Sequence, residues 1–477
     1  MARQNLYSTP MKVPGILPLL FLIYLFVSAL EVQAQKIKYE TGTVEQVLAK
    51  ARQEDKPVFI ALTWPTSTSA KAPNYRNIIS ALEDPAVAKL FNAEFLNVKV
   101  ERNSAEGSKL TRQYSVKEYP TYLYLNPDGN LIHRSKSHSS SPKKYLDEVK
   151  AFKEKAASNF NLSYFQKEFD QGRRNADFLL QYLNLQKQMG LPADLDLLET
   201  YVSQLPVNAF DNFSTVQFIL EQGPIVDSKA FVFSRSNKTI LDSIYKTLPF
   251  SLRSQINNSI IDNTMRKATA TKDAALAQKG AHFARITWDE NYARGLRAYQ
   301  TNMVNFYRSI KDTTNYLREA ASYYDRYFMA ISLDSVRKIM TAQTEYRNSL
   351  LLPSKGKPAT PPKPASGAVT RTESTYRTTS TPTTSFVMQL NNAAYSIYET
   401  GTRNPTYLTK AMLWSKRTIE VEPVAPYYNT LAHILYRLQL FAEAEAMQQK
   451  AVELASKENQ PTERFKKSLQ QIKARTL

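Results

Sequence analysis

A chain of 477 residues without a single cysteine has no thiol chemistry, no disulfide and no thiolate metal ligand. Its formal net charge of +19 favours attraction to anionic surfaces or ligands but says nothing about fold. With 43% hydrophobic and 22% charged residues the composition is globular and long enough for several domains, and only 12 glycines together with many Ala, Leu, Tyr, Lys and Gln favour helices over sheets.

The first segment is a targeting signal. Arg3 and Lys12 precede an apolar run from Ile16 to Leu30, followed by Val32-Gln33-Ala34, a small-residue cleavage site. The run contains Pro18 and falls short of the roughly 20 apolar residues that a spanning helix needs. Residues 1–34 are therefore expected to be a cleaved signal peptide, leaving no transmembrane span. Retention as an anchor and initiation at Met11 remain the alternatives. Export to the periplasm or beyond is the expected destination. Lipid attachment behind the signal needs a cysteine, so a lipoprotein is excluded.

Residues 35–157 alternate helix and strand. Val44, Val47 and Leu48 mark a helix over 43–54. Pro57–Leu62 is a short apolar strand, followed by Trp64 and a polar turn. Asn74–Phe91 reads as helix, with a cap and first-turn proline at Asp84-Pro85 that can divide it in two. Strands are expected at 95–100 and 122–125, separated by a helix over 106–114. The turn Asn126-Pro127-Asp128-Gly129 leads to a strand at 131–133. Ser141-Pro142 opens a last helix with Tyr145, Leu146, Val149 and Phe152 on one face. That order argues for a mixed sheet covered by helices.

The stretches DKPVFIAL, EDPAVAKLFNAEFLNVKVERN and LTRQYSVKEYPTYLYLNPDGNLIHR resemble an exported bacterial thioredoxin-like domain, from Thr43 to Phe152. The resemblance implies a thioredoxin-like α/β sandwich. It also implies that Pro120 is the cis-proline facing the redox turn, with the Tyr119 backbone available to an extended peptide. Counting from Lys56-Pro57, the positions of the redox pair fall on Ser67 and Ala70; counting back from Asp84-Pro85 shifts that register. In either register the sulfur is missing, and disulfide exchange requires a thiolate. A serine nucleophile at 67 would need a histidine base in reach, and His133 and His138 are the nearest in sequence. The residues expected to hold a peptide are Trp64, Ser67, Ala70, Tyr119, Pro120 and Thr121, without catalysis.

Residues 158–350 carry a helical pattern. Tyr164, Phe165 and Phe169 open it, Gly190 closes a long helix, and Pro192, Pro206, Pro224 and Pro249 punctuate the shorter segments behind it. The segments 290–312 and 313–329 read as an antiparallel helix pair. Its aromatic stripe of Tyr316, Tyr323, Tyr324, Tyr327 and Phe328 is expected in the core. Residues 351–385, rich in Pro, Lys, Thr and Ser, have too little apolar content to fold and read as a linker.

Residues 386–477 contain a repeat. AMLWSKRTIEVEP aligns with AEAMQQKAVELAS at an offset of 33 residues, each preceded by another helix. Period, helix pairing and the small residues Ala432, Ala444 and Ala451 resemble tetratricopeptide repeats. The departures are the loop TGTRNP and Gln439 where a turn glycine is common. Two such units rarely stand alone, so they are expected to stack on a tail helix over 462–472 and on the middle helices. The resemblance implies a groove lined by the first helix of each pair: Asn391, Tyr395 and Tyr398, then Asn429, His433, Tyr436 and Arg437.

The fold class is thus an α/β thioredoxin-like domain followed by an all-α region with tetratricopeptide-like helix pairs. The expected function is that of an exported, non-redox scaffold for a protein or peptide partner. An inactive oxidoreductase relative is one alternative, and a binder of an anionic envelope polymer or lipid surface is another. The chain shows no nucleic-acid-binding module. No cofactor is called for, and four scattered histidines give no metal-ligand cluster.

Overall fold

The computed structural model describes residues 36–65, 80–136, 138–158, 160–288, 291–351 and 385–477. Residues 1–34, Ser67 and Ala70, and nearly all of the expected linker lie outside the described residues. The chain forms two compact units, Met1–Pro192 and Ala193–Leu477.

In the first unit, α1 (Val44–Glu54) opens with a reciprocal cap: Thr43 Oγ1 accepts from the Gln46 amide, and the Gln46 side chain accepts from the Thr43 amide. The strands are β1 (Val58–Thr63), β2 (Leu96–Glu101), β3 (Thr121–Leu125) and β4 (Leu131–Lys136). They form one sheet in the order β2-β1-β3-β4. β1 and β2 run parallel, and β3 lies antiparallel to β1 and to β4. β1 is an interior strand with Val58 to Leu62 all buried, which explains an unbroken apolar run rather than an alternating one.

Alternation along the strands sends Phe59, Ala61, Tyr122 and Tyr124 to one face. There they pack with Val87 and Phe91 of α2 (Pro85–Glu94) and with Tyr145, Val149 and Phe152 of α4 (Pro142–Ala157). Phe59 meets Phe91 edge-on at 4.8 Å, and Phe95 meets Phe152 at 5.2 Å. α1 packs on β1 and β2, and α3 (Ala105–Gln113) packs on β2. The mixed sheet covered by helices is therefore present. Asp84 caps α2 through Oδ1, 2.9 Å from the Ala86 amide, with Pro85 as the first helical residue.

The first unit also holds two helices beyond Ala157. α5 (Leu162–Asp170) packs on β4, and α6 (Ala176–Gln188) packs on α5. Gly190 ends α6 in the left-handed region at φ 66°. Arg134 of β4 then donates to the carbonyls of Met189 at 3.2 Å and Gly190 at 3.1 Å, tying this end of the helix to the sheet.

The second unit is helical. It begins with α7 (Leu195–Ser203), α8 (Phe213–Glu221), α9 (Lys229–Ser234) and α10 (Lys238–Thr247). Then come α11 (Phe250–Thr271), α12 (Ala274–Ile286), α13 (Tyr292–Ser309) and α14 (Thr313–Tyr324). A π-helical turn, Asp325–Met329, leads to α15 (Leu333–Leu351). The repeat region is α16 (Phe386–Glu399), α17 (Pro405–Val421), α18 (Ala425–Arg437), α19 (Phe441–Lys457) and α20 (Glu463–Lys473).

One continuous apolar core runs from α11 to α18. It joins Ala281, Phe306, Tyr316, Tyr323 and Phe328 to Phe386, Leu390, Trp414 and Ile434. Tyr316, Tyr323 and Phe328 of the aromatic stripe are buried in this core, with Tyr324 and Tyr327 half-buried against it, and the repeats stack on the middle helices. The tail helix covers the other end, burying Phe465 and Ile472. Gln439 adopts φ 65° at the turn between α18 and α19, taking a backbone conformation that glycine fills more easily. Among the described residues no helix is long and apolar enough to cross a membrane.

Candidate functional site

The parallel register of β1 and β2 pairs Thr63 with Glu101, so the residues just beyond, Trp64 and Arg102, emerge at the same end of the sheet. β3 runs the other way, and Thr121, its first residue, pairs with Leu62. Tyr119 and Pro120 are thereby delivered to that same end. The Tyr119–Pro120 peptide bond is cis.

Three of these side chains form a stack. The Trp64 and Tyr119 rings lie 5.4 Å apart, and the Arg102 guanidinium sits 4.7 Å from the first and 5.3 Å from the second. Tyr119 is fixed from behind by a 2.6 Å hydrogen bond between its hydroxyl and Thr111 Oγ1. Trp64 remains 43% exposed, so the stack offers an apolar, cationic surface to solvent. Two expected contact residues are withdrawn from it. Thr121 is fully buried and donates its hydroxyl to the Glu118 carbonyl at 2.7 Å; Pro120 is buried as well. The Thr121 side chain, expected among the peptide contacts, is thus turned away from solvent and held by the Glu118 carbonyl. Arg102 was missed, although its position one residue past β2 mirrors that of Trp64 past β1.

The second set of residues lies on α16 and α18, the first helices of successive pairs. Asn391, Tyr395 and Tyr398 succeed one another at helical spacing, as do Asn429, His433 and Arg437. The structure brings the two rows together. His433 lies 6.2 Å from the Tyr395 ring and 5.3 Å from the Tyr398 ring, which are 5.7 Å from each other. Arg437 covers the Tyr398 ring at 4.5 Å. Asn429 Nδ2 and His433 Nδ1 are 3.1 Å apart.

Behind this row stands Gln448 of α19, fully buried, donating to Asn429 Oδ1 at 3.0 Å and to the Phe465 carbonyl at 2.9 Å. It went unrecognised because a glutamine on the second helix of a pair carries no groove signal. Tyr436 does not join the cluster; it points to the other side, against Phe441 at 5.3 Å. Asn391 is buried, with Oδ1 unpartnered, so it forms the floor rather than the lip.

Burial pushes the His433 imidazole down to about 4, with the nearby Arg437 charge acting in the same direction and the Asn429 hydrogen bond against it. At neutral pH the row therefore presents a neutral imidazole, two phenol rings and one guanidinium. Among the described residues no group of acidic or histidine side chains is arranged to hold a metal ion.

No family model and no curated protein sequence matches the chain. Among solved structures it is similar to a candidate disulphide-isomerase from Bacteroides thetaiotaomicron determined in solution: 28% identity, 26% of this chain and 98% of that one, TM-score 0.22. It is also similar to a DsbH oxidoreductase at 16% identity, covering 27% of this chain and 98% of that one, TM-score 0.21. A third similarity is to the TPR domain of P58(IPK), at 13% identity over 70% of this chain and 97% of that one, TM-score 0.18.

Proposed function

We propose that the chain is an exported, non-redox scaffold of thioredoxin-like fold, with tetratricopeptide-like repeats that bind a protein or peptide segment. The observation that carries this reading is the convergence of Tyr395, Tyr398, His433 and Arg437 from two successive first helices into one half-open row. Rigid aromatic rings with a single guanidinium are the side chains that most often dominate protein recognition. The sheet order, the antiparallel interior β3 and the proline before it support the thioredoxin-like part. Its Trp64–Arg102–Tyr119 stack serves as an accessory contact. The absence of any cysteine supports binding without electron transfer.

The binding test uses random extended peptides displayed on phage and selected on the intact protein. Peptides so selected are expected to bind about ten-fold more weakly, or worse, to Tyr398→Ala and Arg437→Ala variants. Trp64→Ala should weaken only the subset that reaches the first unit. A selection that enriches nothing over bare support, or peptides indifferent to all three substitutions, sinks the reading. The chemical part is tested separately: purified protein should give no insulin reduction above the buffer control in a turbidity assay. Any turnover overturns the non-redox assignment.

A further inference from the structure

A cavity of about 670 Å³ lies within the first unit, between β4, α4 and the α5–α6 pair. It shares no lining residue with the Trp64 stack and serves no role in the reading above. Its size falls in the range that holds a small organic ligand, roughly 300–1,000 Å³. The apolar part of the wall is Ile132, Leu162, Leu185 and Met189, with Phe160 at the mouth. Phe160 is 49% exposed there, unusually bare for a ring of that size.

The polar part is cationic. Arg134, Lys136, Lys155 and Lys187 line the cavity; among the described lining residues the one carboxylate is Glu154, which pairs with Lys150 at 3.8 Å, while Lys136 pairs at 3.5 Å with Glu118, outside the lining. The two most enclosed cations are satisfied by neutral acceptors. Arg134 donates to the Tyr114, Met189 and Gly190 carbonyls, and its Nε is buried without a partner. Lys155 Nζ lies 2.8 Å from His133 Nδ1. An ammonium has three N–H donors, so two remain for a ligand.

Glu148, the carboxylate whose charge acts on Lys155, is engaged elsewhere. It accepts from Ser135 Oγ at 2.7 Å and from His133 Nε2. This chain of Ser135, Glu148 and His133 fixes the Lys155 head at the cavity wall without neutralising it. Burial lowers the proton affinity of both Lys155 and Arg134, with Glu148 and Glu118 respectively opposing. Positive charge held in a half-dry place with only neutral acceptors is relieved by an anion.

We propose that this cavity binds a small amphipathic acid, one carboxylate or phosphate head on an unbranched apolar body. The head sits among Lys136, Lys155 and Arg134, and the body lies along Leu162, Leu185 and Met189. The recognition is electrostatic at one end and hydrophobic at the other, so neither charge nor tail suffices alone.

Calorimetric titration of the intact protein tests this with octanoate and octyl phosphate, beside octanol, octylammonium and acetate. Saturable binding is expected for one or both acids. Octanol and acetate should bind at least about ten-fold more weakly, and octylammonium not at all. Lys136→Glu, at an exposed side chain that also pairs with Glu118 at 3.5 Å, should weaken the acid about ten-fold, with thermal unfolding shifted no more than by Lys143→Glu, which breaks the comparable pair with Asp147. Lys143→Glu makes the same charge change away from the cavity and should leave binding intact. Lys155→Met should abolish binding; if that variant misfolds, the Lys136 and Lys143 pair still decides. Failure of both acids to bind, equal binding of octylammonium, or equal weakening by Lys136→Glu and Lys143→Glu would each overturn the proposal.

Discussion

Replacing Trp414 by alanine is expected to destabilise the second unit by about 3–5 kcal/mol, the range for emptying a buried large aromatic site. Trp414 is 1% exposed on α17 and packs 5.2 Å from the Tyr324 ring. Its indole N–H donates to Asp325 Oδ1 at 2.8 Å, and Lys410 pairs with the other oxygen of that carboxylate. One turn further along α17, Arg417 donates to the carbonyls of Met329 at 3.0 Å and Ile331 at 2.8 Å. The three side chains grip both ends of the π-helical turn. Removing the indole empties part of the shared core and also leaves Asp325 without its neutral donor. Trp414→Phe keeps an aromatic ring but loses the N–H and part of the indole volume, for which about 1–3 kcal/mol is expected, less than for alanine.

Denaturant unfolding followed by circular dichroism, with hydrogen exchange in α14 and α17, measures both variants. Loss of protection in both helices together is the signature of one cooperative core. If Trp414→Ala shifts stability by less than about 1 kcal/mol, or loosens α17 alone, the repeats are an independent module. The same geometry bears on how binding is dissected. Cutting the chain after residue 350 would remove Phe386 and Trp414 and leave Phe306, Tyr323 and Phe328 without these core neighbours, so point substitutions on the α16–α18 row separate binding from folding more cleanly.

The legible parts of this chain are those where local chemistry and final environment agree. Val58–Leu62 reads as an interior strand because burial on both faces demands an unbroken apolar run. Asp84-Pro85 and Gly190 read as helix ends because a cap and a left-handed residue are local needs. The groove row was legible in part, since each copy of the repeat is preceded by another helix, which places Asn391 and Asn429 on equivalent helices. Pairing across the chain decides the features that escaped. Thr121 looks like a loop residue beside a turn, yet its register with Leu62 buries it. Arg102 joins Trp64 only through the pairing of Thr63 with Glu101. Tyr436 and Arg437 are neighbours in sequence, but one faces Phe441 and the other Tyr398. Arg134 reaches the carbonyls of Met189 and Gly190 far along the chain, a contact that no local pattern announces.

Acidification is expected to loosen the repeat region through His433. In the fold its imidazole protonates only near about 4, whereas the ordinary value is 6.5. Between those values the unfolded chain carries a proton at this position that the native chain lacks. Stability from this group is therefore complete above pH 6.5 and falls as pH drops through 6.5 towards 4. The gap corresponds to about 3 kcal/mol at full extent, since the side chain is nearly all buried. A His433→Gln substitution keeps a polar side chain of similar reach for Asn429 and removes the titration. Unfolding measured from pH 7 downward should then show a wild-type curve that steepens below pH 6.5 relative to the variant. Hydrogen exchange in α18 should report the same divergence locally. Parallel curves for the two proteins, within about 0.5 kcal/mol across the range, would mean that the imidazole is reached by water and that the row on α16 and α18 is more open than its ring contacts imply.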